Sequence, residues 1–139
     1  MRGDMLYVDS NVFIYPVIYD PSSVEEARRS RRFLVRIASG EVKACTSVLT
    51  WDEVSWVVRR VLGVEPSLKL SRLFLTFPNL KLLSVKELTI LRAQELMERY
   101  KIKPRDAIHI ATALENGVLT LVSYDRDFDV VGDIRRVEP

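Results

Sequence analysis

The residues best suited to chemistry in this chain are carboxylates placed beside apolar segments. Asp9 follows one short apolar run, and Asp125 and Asp127 follow another. Glu53 interrupts the apolar face of a predicted helix, and Asp106 lies at the predicted start of a second helix. If these acids converge, repulsion and desolvation favour either protonation or a bound divalent cation. Hard carboxylate oxygens suit Mg²⁺ or Mn²⁺.

The sequence offers few softer ligands. It contains one cysteine and one histidine, which excludes a structural zinc site built from several Cys and His ligands. Cys45 also lacks a partner for an intramolecular disulfide, and we predict it as a small core residue. His109 follows Asp106 by one helical turn. We predict it as a packed side chain, with proton transfer as the alternative.

Short apolar runs alternate with longer helical patterns along the chain. The runs predict strands over 5–8, 42–46, 80–85, 119–123 and 134–137. Such alternation predicts a three-layer α/β sandwich with a central parallel sheet of four to five strands flanked by helices. Ligands of such sheets lie at the carboxyl ends of the strands. Asp9 and Asp125 are therefore predicted to share one edge.

Six helices are predicted between these strands. Their ranges are 13–18, Ser22 or Ser23 to about Ser39, 47–62, 66–77, 88–100 and 103–116. Asp106 has a structural alternative, because an acid in the first turn complements the helix dipole. Trp51 and Trp56 are predicted to pack in the core or at an interface, with stacking on bases as the alternative.

Length and charge narrow the class of protein. The 139 residues suit one domain spanning 1–139, and no transmembrane segment or signal peptide is predicted, so we expect a cytoplasmic protein. The net charge of +2 is no argument for nucleic acid. Five arginines do cluster within nine residues, at positions 28, 29, 31, 32 and 36. They could contact phosphates or form a solvated face in which Glu25 and Glu26 pair with Arg29.

Four segments resemble the motifs of one family. They are Val8 to Tyr15 with its Asp-Ser-Asn block, Ser47 to Val54, Arg105 to Ala113 and Leu121 to Phe128. The chain resembles the PIN-domain ribonucleases and, within them, the toxins of VapBC-type toxin–antitoxin pairs. Because the four segments occur in the family's order over nearly the whole chain, they are stronger evidence together than any one alone.

The resemblance implies a set of site residues. It implies Asp9, Glu53, Asp106 and Asp125 as metal ligands, with Asn11 and Ser123 as supporting polar residues. The role of Asp127 is open between a supporting residue, a ligand in place of Asp125, and a local cap.

The resemblance also implies an activity and partners. The reaction is Mg²⁺- or Mn²⁺-dependent hydrolysis of RNA, leaving a 5′ phosphate and a 3′ hydroxyl. The candidates for RNA-phosphate contacts are Arg105, Arg126, Arg28 and Arg32. The implied partners are the RNA substrate, a second copy in a homodimer, and a small antitoxin protein. The apolar residues between 68 and 77 exceed what one buried stripe needs, which indicates a protein–protein surface.

Three other functions fit parts of the pattern. A housekeeping PIN nuclease in RNA processing would share the acids, whereas a catalytically inactive PIN-fold binding module would be expected to lack one. A receiver-like signalling domain is disfavoured, because the strand over 119–123 leads into Tyr124-Asp125-Arg126-Asp127 without a lysine.

Overall fold

The apolar runs of the sequence form five strands in the computed structural model, which describes residues 4–139. In chain order they are β1 (Leu6–Val8), β2 (Ala44–Ser47), β3 (Leu80–Leu83), β4 (Thr120–Val122) and β5 (Arg135–Val137). All neighbouring strands pair in parallel, in the order β3-β2-β1-β4-β5. The predicted parallel sheet is confirmed, with five strands.

Six α-helices connect and cover these strands. They are α1 (Ser10–Ile18), α2 (Glu25–Ala38), α3 (Leu49–Leu62), α4 (Val64–Leu75), α5 (Glu87–Tyr100) and α6 (Pro104–Glu115). A 3₁₀ helix (Arg126–Val130), which the sequence did not predict, precedes β5. Among residues 4–139, no helix is both long and apolar enough to cross a bilayer.

The two faces of the sheet have separate cores. Successive strand residues point to opposite faces, so Tyr7 packs with residues of α5 and α6, while Val8 packs with residues of α1 to α4. Cys45 is buried in the first of these cores, as predicted. The two cores confirm the predicted three-layer α/β sandwich.

The order of the strands decides where the acids meet. From β1 the chain builds outward to β2 and β3, then crosses to the other side of β1 to form β4 and β5. Ligands of open parallel sheets bind at such a reversal, beyond the carboxyl ends of the strands. The Asp9 N–H donates to the Val122 carbonyl across this point, at 2.9 Å. The shared edge predicted for the acids is therefore confirmed.

Local hydrogen bonds explain two differences at helix starts. Helix α1 begins at Ser10 rather than at residue 13, because the Asp9 carboxylate accepts the Ser10 N–H at 2.7 Å and caps the helix. Helix α2 was predicted to begin at Ser22 or Ser23, which is wrong. The carboxylate of Asp20 accepts the Ser22 N–H in a turn, at 2.9 Å, and the helix starts only at Glu25.

The ion pairs of α2 differ from those expected for a solvated face, the one of the two interpretations of the arginine cluster in which Glu25 and Glu26 pair with Arg29. Glu25 pairs with Arg28. The Arg29 guanidinium instead lies 3.3 Å from the carboxylate of Glu138, beyond the end of β5. Arg29 therefore ties α2 to the chain after β5.

The prediction that the two tryptophans pack in the core is also wrong. Trp51 and Trp56 are 42% and 53% exposed. Thr50, Val54 and Val58, spaced by four residues, are the buried positions of α3. The tryptophans lie off that stripe, so their packing at an interface stays a prediction.

Candidate metal centre

Asp9 lies at the centre of the carboxyl edge. It follows the middle strand of the sheet and is only 6% exposed. One carboxylate oxygen accepts the Ser10 N–H at 2.7 Å, and the other accepts the Ser123 hydroxyl at 2.6 Å. The two hydrogen bonds fix the plane of a carboxylate that the fold has removed from water.

Ser123 connects three of the residues singled out from the sequence. Its hydroxyl donates to Asp9 and accepts the side-chain N–H of Asn11 at 3.3 Å and the backbone N–H of Asp125 at 3.0 Å. A hydroxyl has one donor and two acceptor positions. All three are occupied, so the orientation of this hydroxyl is fixed.

Glu53 reaches the same edge from α3. Its Oε1 lies 2.5 Å from Nε2 of His109, and the same nitrogen lies 3.8 Å from Oδ1 of Asp9. Ligand atoms of these three residues all lie within 4.8 Å of one another. The sequence predicted a buried His109, and it is 1% exposed.

His109 is held on its other side by Tyr7. The Tyr7 hydroxyl lies 2.5 Å from Nδ1 of the imidazole and 3.2 Å from the backbone nitrogen of Ser47. Sequence reasoning missed both Tyr7 and the contact between His109 and Glu53. The one available signal is that a buried tyrosine hydroxyl needs a partner, which does not identify that partner.

A second acidic group lies beside the first. Ligand atoms of Asp106, Asp125 and Asp127 are within 4.8 Å of one another. Asp125 follows β4 and caps the 3₁₀ helix, because its carboxylate accepts the Asp127 N–H at 2.9 Å. The carboxylate of Asp127 is more exposed and lies 3.9 Å from the ammonium of Lys103.

The site is electrostatically crowded. Burial raises the pKa of Asp106 to about 6, and the charges of Asp125 and Asp9 act in the same direction. Burial also raises the pKa of Asp9, which the charge of Glu53 reinforces and His109 and Ser123 oppose. Burial alone would lower the pKa of His109. The hydrogen bond to Glu53 and the charges of the surrounding acids outweigh burial and raise it.

The donor atoms fit a hard divalent cation. Asp106 Oδ2 and Asn11 Oδ1 are buried without a hydrogen-bond partner among the described residues, and leaving such atoms unpaired is costly. Both are oxygens of the kind that coordinate Mg²⁺ and Mn²⁺. A cavity of about 570 Å³ opens beside Asp106 and is lined by Glu53, Lys103, Pro104, Arg105, Asp106 and Asp125.

The four arginines singled out from the sequence occupy different places. Arg105 borders the 570 Å³ cavity, 3.9 Å from Asp52. Arg126 lines an adjoining cavity of about 380 Å³ that also contains Asp106. Arg28 and Arg32 are exposed on α2. That helix approaches the carboxyl edge, because the Tyr124 hydroxyl donates to the carbonyl of Glu26 at 2.8 Å.

The raised pKa of Asp106 predicts a pH effect on stability without metal. The folded chain holds the Asp106 proton more tightly than the unfolded chain, so the stabilisation is complete below about pH 4 and is lost as the pH rises through about 6. If Asp106 were fully shielded from water, the difference between its pKa and the ordinary 3.8 would correspond to about 3 kcal/mol of folding free energy. Since the Asp106 side chain is only partly buried, we expect about 1 kcal/mol.

Thermal unfolding in chelator measures this effect. Asp106→Asn should gain about 1 kcal/mol relative to the wild type between pH 4 and pH 7. Asp133→Asn, at an exposed aspartate before β5, should show a constant difference. A constant difference for Asp106→Asn as well would contradict the prediction.

Known folds resemble this one closely. The structure of the Mycobacterium tuberculosis toxin VapC20, described as cleaving the sarcin–ricin loop, is 16% identical, with a TM-score of 0.73 over 94% of this chain and 98% of that chain. A chain of DNA-bound VapBC2 from Rickettsia felis is 15% identical, with a TM-score of 0.71 over 96% and 98%. A chain of DNA-bound VapBC from Salmonella typhimurium is 17% identical, with a TM-score of 0.67 over 97% and 98%. At these identities the likeness establishes the fold.

The family follows from a separate comparison. Comparison with curated proteins gave no match to this chain. The sequence model of the PIN domain, however, matches residues 6–134, which include every strand before β5 and all the acids of the candidate metal centre. The chain therefore belongs to the PIN-domain family.

Proposed function

We propose that this chain is a ribonuclease that hydrolyses RNA phosphodiesters with Mg²⁺ or Mn²⁺, and that it is the toxin of a type II toxin–antitoxin pair. The convergence of two acidic groups at the carboxyl edge, with Asp106 Oδ2 unpaired, carries the proposal. Membership of the PIN family and the fold shared with VapC toxins support it.

The carboxylates have distinct roles in this proposal. Asp9 and Asp106 are the central ligands, and Glu53 and Asp125 complete the set. These carboxylates would hold a divalent cation, which would lower the pKa of a water molecule and offset the charge of the scissile phosphate. Ser123 keeps Asp9 and Asp125 in register through hydrogen bonds of 2.6 and 3.0 Å. Asn11 has a free carbonyl oxygen that can orient water.

An acidic centre needs positive charge around it to bind RNA. We assign phosphates nearest the cleaved bond to Arg105 and Arg126, which border the two cavities. Arg28 and Arg32, on α2, contact phosphates farther along the strand. Each phosphate contact contributes about 0.7 to the salt dependence of single-strand binding on a log–log scale. Arg126→Ala should therefore reduce that slope by about 0.7 in RNA titrations.

The control for the arginine prediction is Arg60→Ala. Arg60 is also exposed, but it lies near the end of α3 farther from the carboxyl edge. Its removal should leave the salt slope unchanged. If the two variants lose the same slope, Arg126 has no specific role in binding the RNA strand.

The decisive experiment is cleavage of RNA by the purified chain. A sarcin–ricin stem-loop and a random-sequence RNA pool serve as substrates, because one structural relative cleaves that loop. We expect cleavage that requires Mg²⁺ or Mn²⁺, stops in chelator and leaves 5′ phosphates. Cation binding without cleavage of either substrate would favour a PIN-fold binding module.

The same assay distinguishes Asp125 from Asp127. We expect Asp125→Asn to lower cleavage by about 100-fold, because it removes a ligand. Asp127→Asn should lower cleavage by less than about 10-fold, since its carboxylate is exposed and paired with Lys103. The reverse order would make Asp127 the fourth ligand.

We also propose the partners that the resemblance implies. Structural relatives come from VapBC complexes, and the outer faces of α3 and α4 expose Trp51, Trp56, Val61, Leu62, Val64, Leu68, Leu73 and Leu75. Of the predicted protein–protein segment, Phe74 is instead buried against Phe13. These faces would meet a second copy or an antitoxin in the cytoplasm. Sedimentation velocity of the purified chain alone measures the first association, and the same experiment with a candidate antitoxin added measures the second.

A further inference from the structure

A buried chain of hydrogen bonds leads from the backbone of β2 to Glu53. The Ser47 N–H lies 3.2 Å from the Tyr7 hydroxyl, which lies 2.5 Å from Nδ1 of His109. Nε2 of the same imidazole lies 2.5 Å from Oε1 of Glu53. Four elements, β2, β1, α6 and α3, each contribute one residue, and Tyr7 and His109 are at most 1% exposed.

The direction of these hydrogen bonds follows from their fixed end. A backbone N–H can only donate, so the Tyr7 oxygen accepts from Ser47 and its own proton is free for Nδ1 of His109. When the Tyr7 hydroxyl donates to Nδ1, the neutral imidazole carries its proton on Nε2, facing Glu53, because one of its nitrogens accepts while the other donates. In the charged imidazole Nε2 also carries a proton. Oε1 of Glu53 therefore accepts a hydrogen bond in both states.

The position of the His109 imidazole connects this chain of hydrogen bonds to the acidic edge. Nε2 lies between two carboxylates, 2.5 Å from Glu53 and 3.8 Å from Asp9. Glu53 stands on a long, rotatable side chain that is 16% exposed at the cavity. Without a hydrogen-bond donor to one of its carboxylate oxygens, Glu53 would be turned outward by the repulsion of Asp9. With that donor, one oxygen is fixed and the other is left for a cation.

We propose that Tyr7 and His109 are positioning residues that orient Glu53 for cation binding, with the Ser47 N–H setting the direction. The proposal rests on the metal-dependent function proposed above in one respect: that function is the reason for orienting Glu53. The protonation of the imidazole can be tested without metal or RNA. Partners of this kind typically change metal affinity by about 10- to 100-fold.

The first experiment uses the fact that the chain contains a single histidine. Labelling with ¹⁵N-histidine gives one pair of ring-nitrogen signals, which need no assignment by mutation. In the metal-free wild type we expect the neutral imidazole to carry its proton on Nε2, and to keep it in excess Mg²⁺. A proton on Nδ1 would overturn the proposal. Loss of the Nε2 proton in Mg²⁺ would also overturn it, because the imidazole would then be a ligand.

The second experiment removes the Tyr7 hydroxyl from the chain of hydrogen bonds. Tyr7→Phe should weaken Mn²⁺ binding by about 10-fold in calorimetry and lower kcat more than it raises KM. Tyr124→Phe is the matched control, since that hydroxyl also has two hydrogen-bond partners but none at Glu53. It should leave Mn²⁺ affinity within about twofold. Near-UV circular dichroism establishes that both variants are folded.

A double-mutant cycle separates positioning from general loosening of the fold. If Tyr7 acts through Glu53, adding Tyr7→Phe to Glu53→Gln should weaken Mn²⁺ binding by less than about twofold. A full 10-fold effect in both backgrounds would show that Tyr7 acts elsewhere and would overturn the proposal. The proposed nuclease would survive that result. Failure of RNA cleavage, in turn, would leave the histidine tautomer unaffected.

Discussion

Asp9→Asn is expected to lower metal-dependent RNA cleavage by about 100-fold or more while changing stability by less than about 1 kcal/mol. Asp9 has the central position among the acids, and asparagine keeps its shape without its charge. The amide oxygen can still accept the Ser10 N–H. The loss of a buried negative charge beside Glu53 offsets the poorer contact with Ser123. Cleavage rates and chemical denaturation measure the two effects.

Asp133→Asn is the control for this experiment, because it removes one negative charge from an exposed position. It should retain cleavage within about twofold. Calorimetry with Mn²⁺ adds a readout that needs no substrate, and saturable binding should be lost in Asp9→Asn. If Asp9→Asn cleaved RNA at the wild-type rate in the presence of metal, the proposed centre would be wrong.

Phe128→Ala is expected to destabilise the protein by about 3–5 kcal/mol. Phe128 is 1% exposed and packs in the core that also contains Leu121, Val131 and Ile134. Its ring anchors the 3₁₀ helix, whose first turn holds Asp127 and whose cap is Asp125. Truncation leaves a cavity that this short element cannot refill. Mn²⁺ affinity should fall with stability, because Asp125 loses its support.

Chemical denaturation tests the stability of Phe128→Ala against Val130→Ala. Val130 belongs to the same 3₁₀ helix but is 55% exposed, so its truncation should cost less than about 0.5 kcal/mol. Similar losses in the two variants would show that the ring does not anchor the segment.

The sequence was sufficient to predict which acids share one edge. Asp9 and Asp125 each follow a short apolar run, and in a parallel sheet the carboxyl ends of strands meet regardless of how far apart they lie in the chain. Helical spacing likewise located α3, which carries Glu53. The proline at the start of α6 and the Asn116-Gly117 stop after it located that helix, which carries Asp106. These rules depend on the backbone alone, which explains why the fold and the approximate placement of the acids were predictable.

The contacts of His109 were not predictable in the same way. That histidine could pack, transfer a proton or bind an acid, and only the positions of Tyr7 and Glu53 decide among these. Both depend on side-chain rotamers and on how α3 and α6 pack against the sheet. The errors at α2 and at the tryptophans have similar origins. A turn around Asp20 competed with the expected caps, and several faces of α3 are apolar enough to be buried.

The order of the strands also has a consequence for how the protein assembles. Asp9 and Glu53 belong to the part of the chain that runs from β1 to α3, whereas Asp106 and Asp125 flank β4. The two parts meet through the pairing of β1 with β4, which joins Tyr7 to Leu121. Contacts so distant in sequence are costly to close and form slowly. A folding intermediate with only the first three strands would lack Asp106 and Asp125, so the metal centre that we propose would be complete only once β4 has paired with β1.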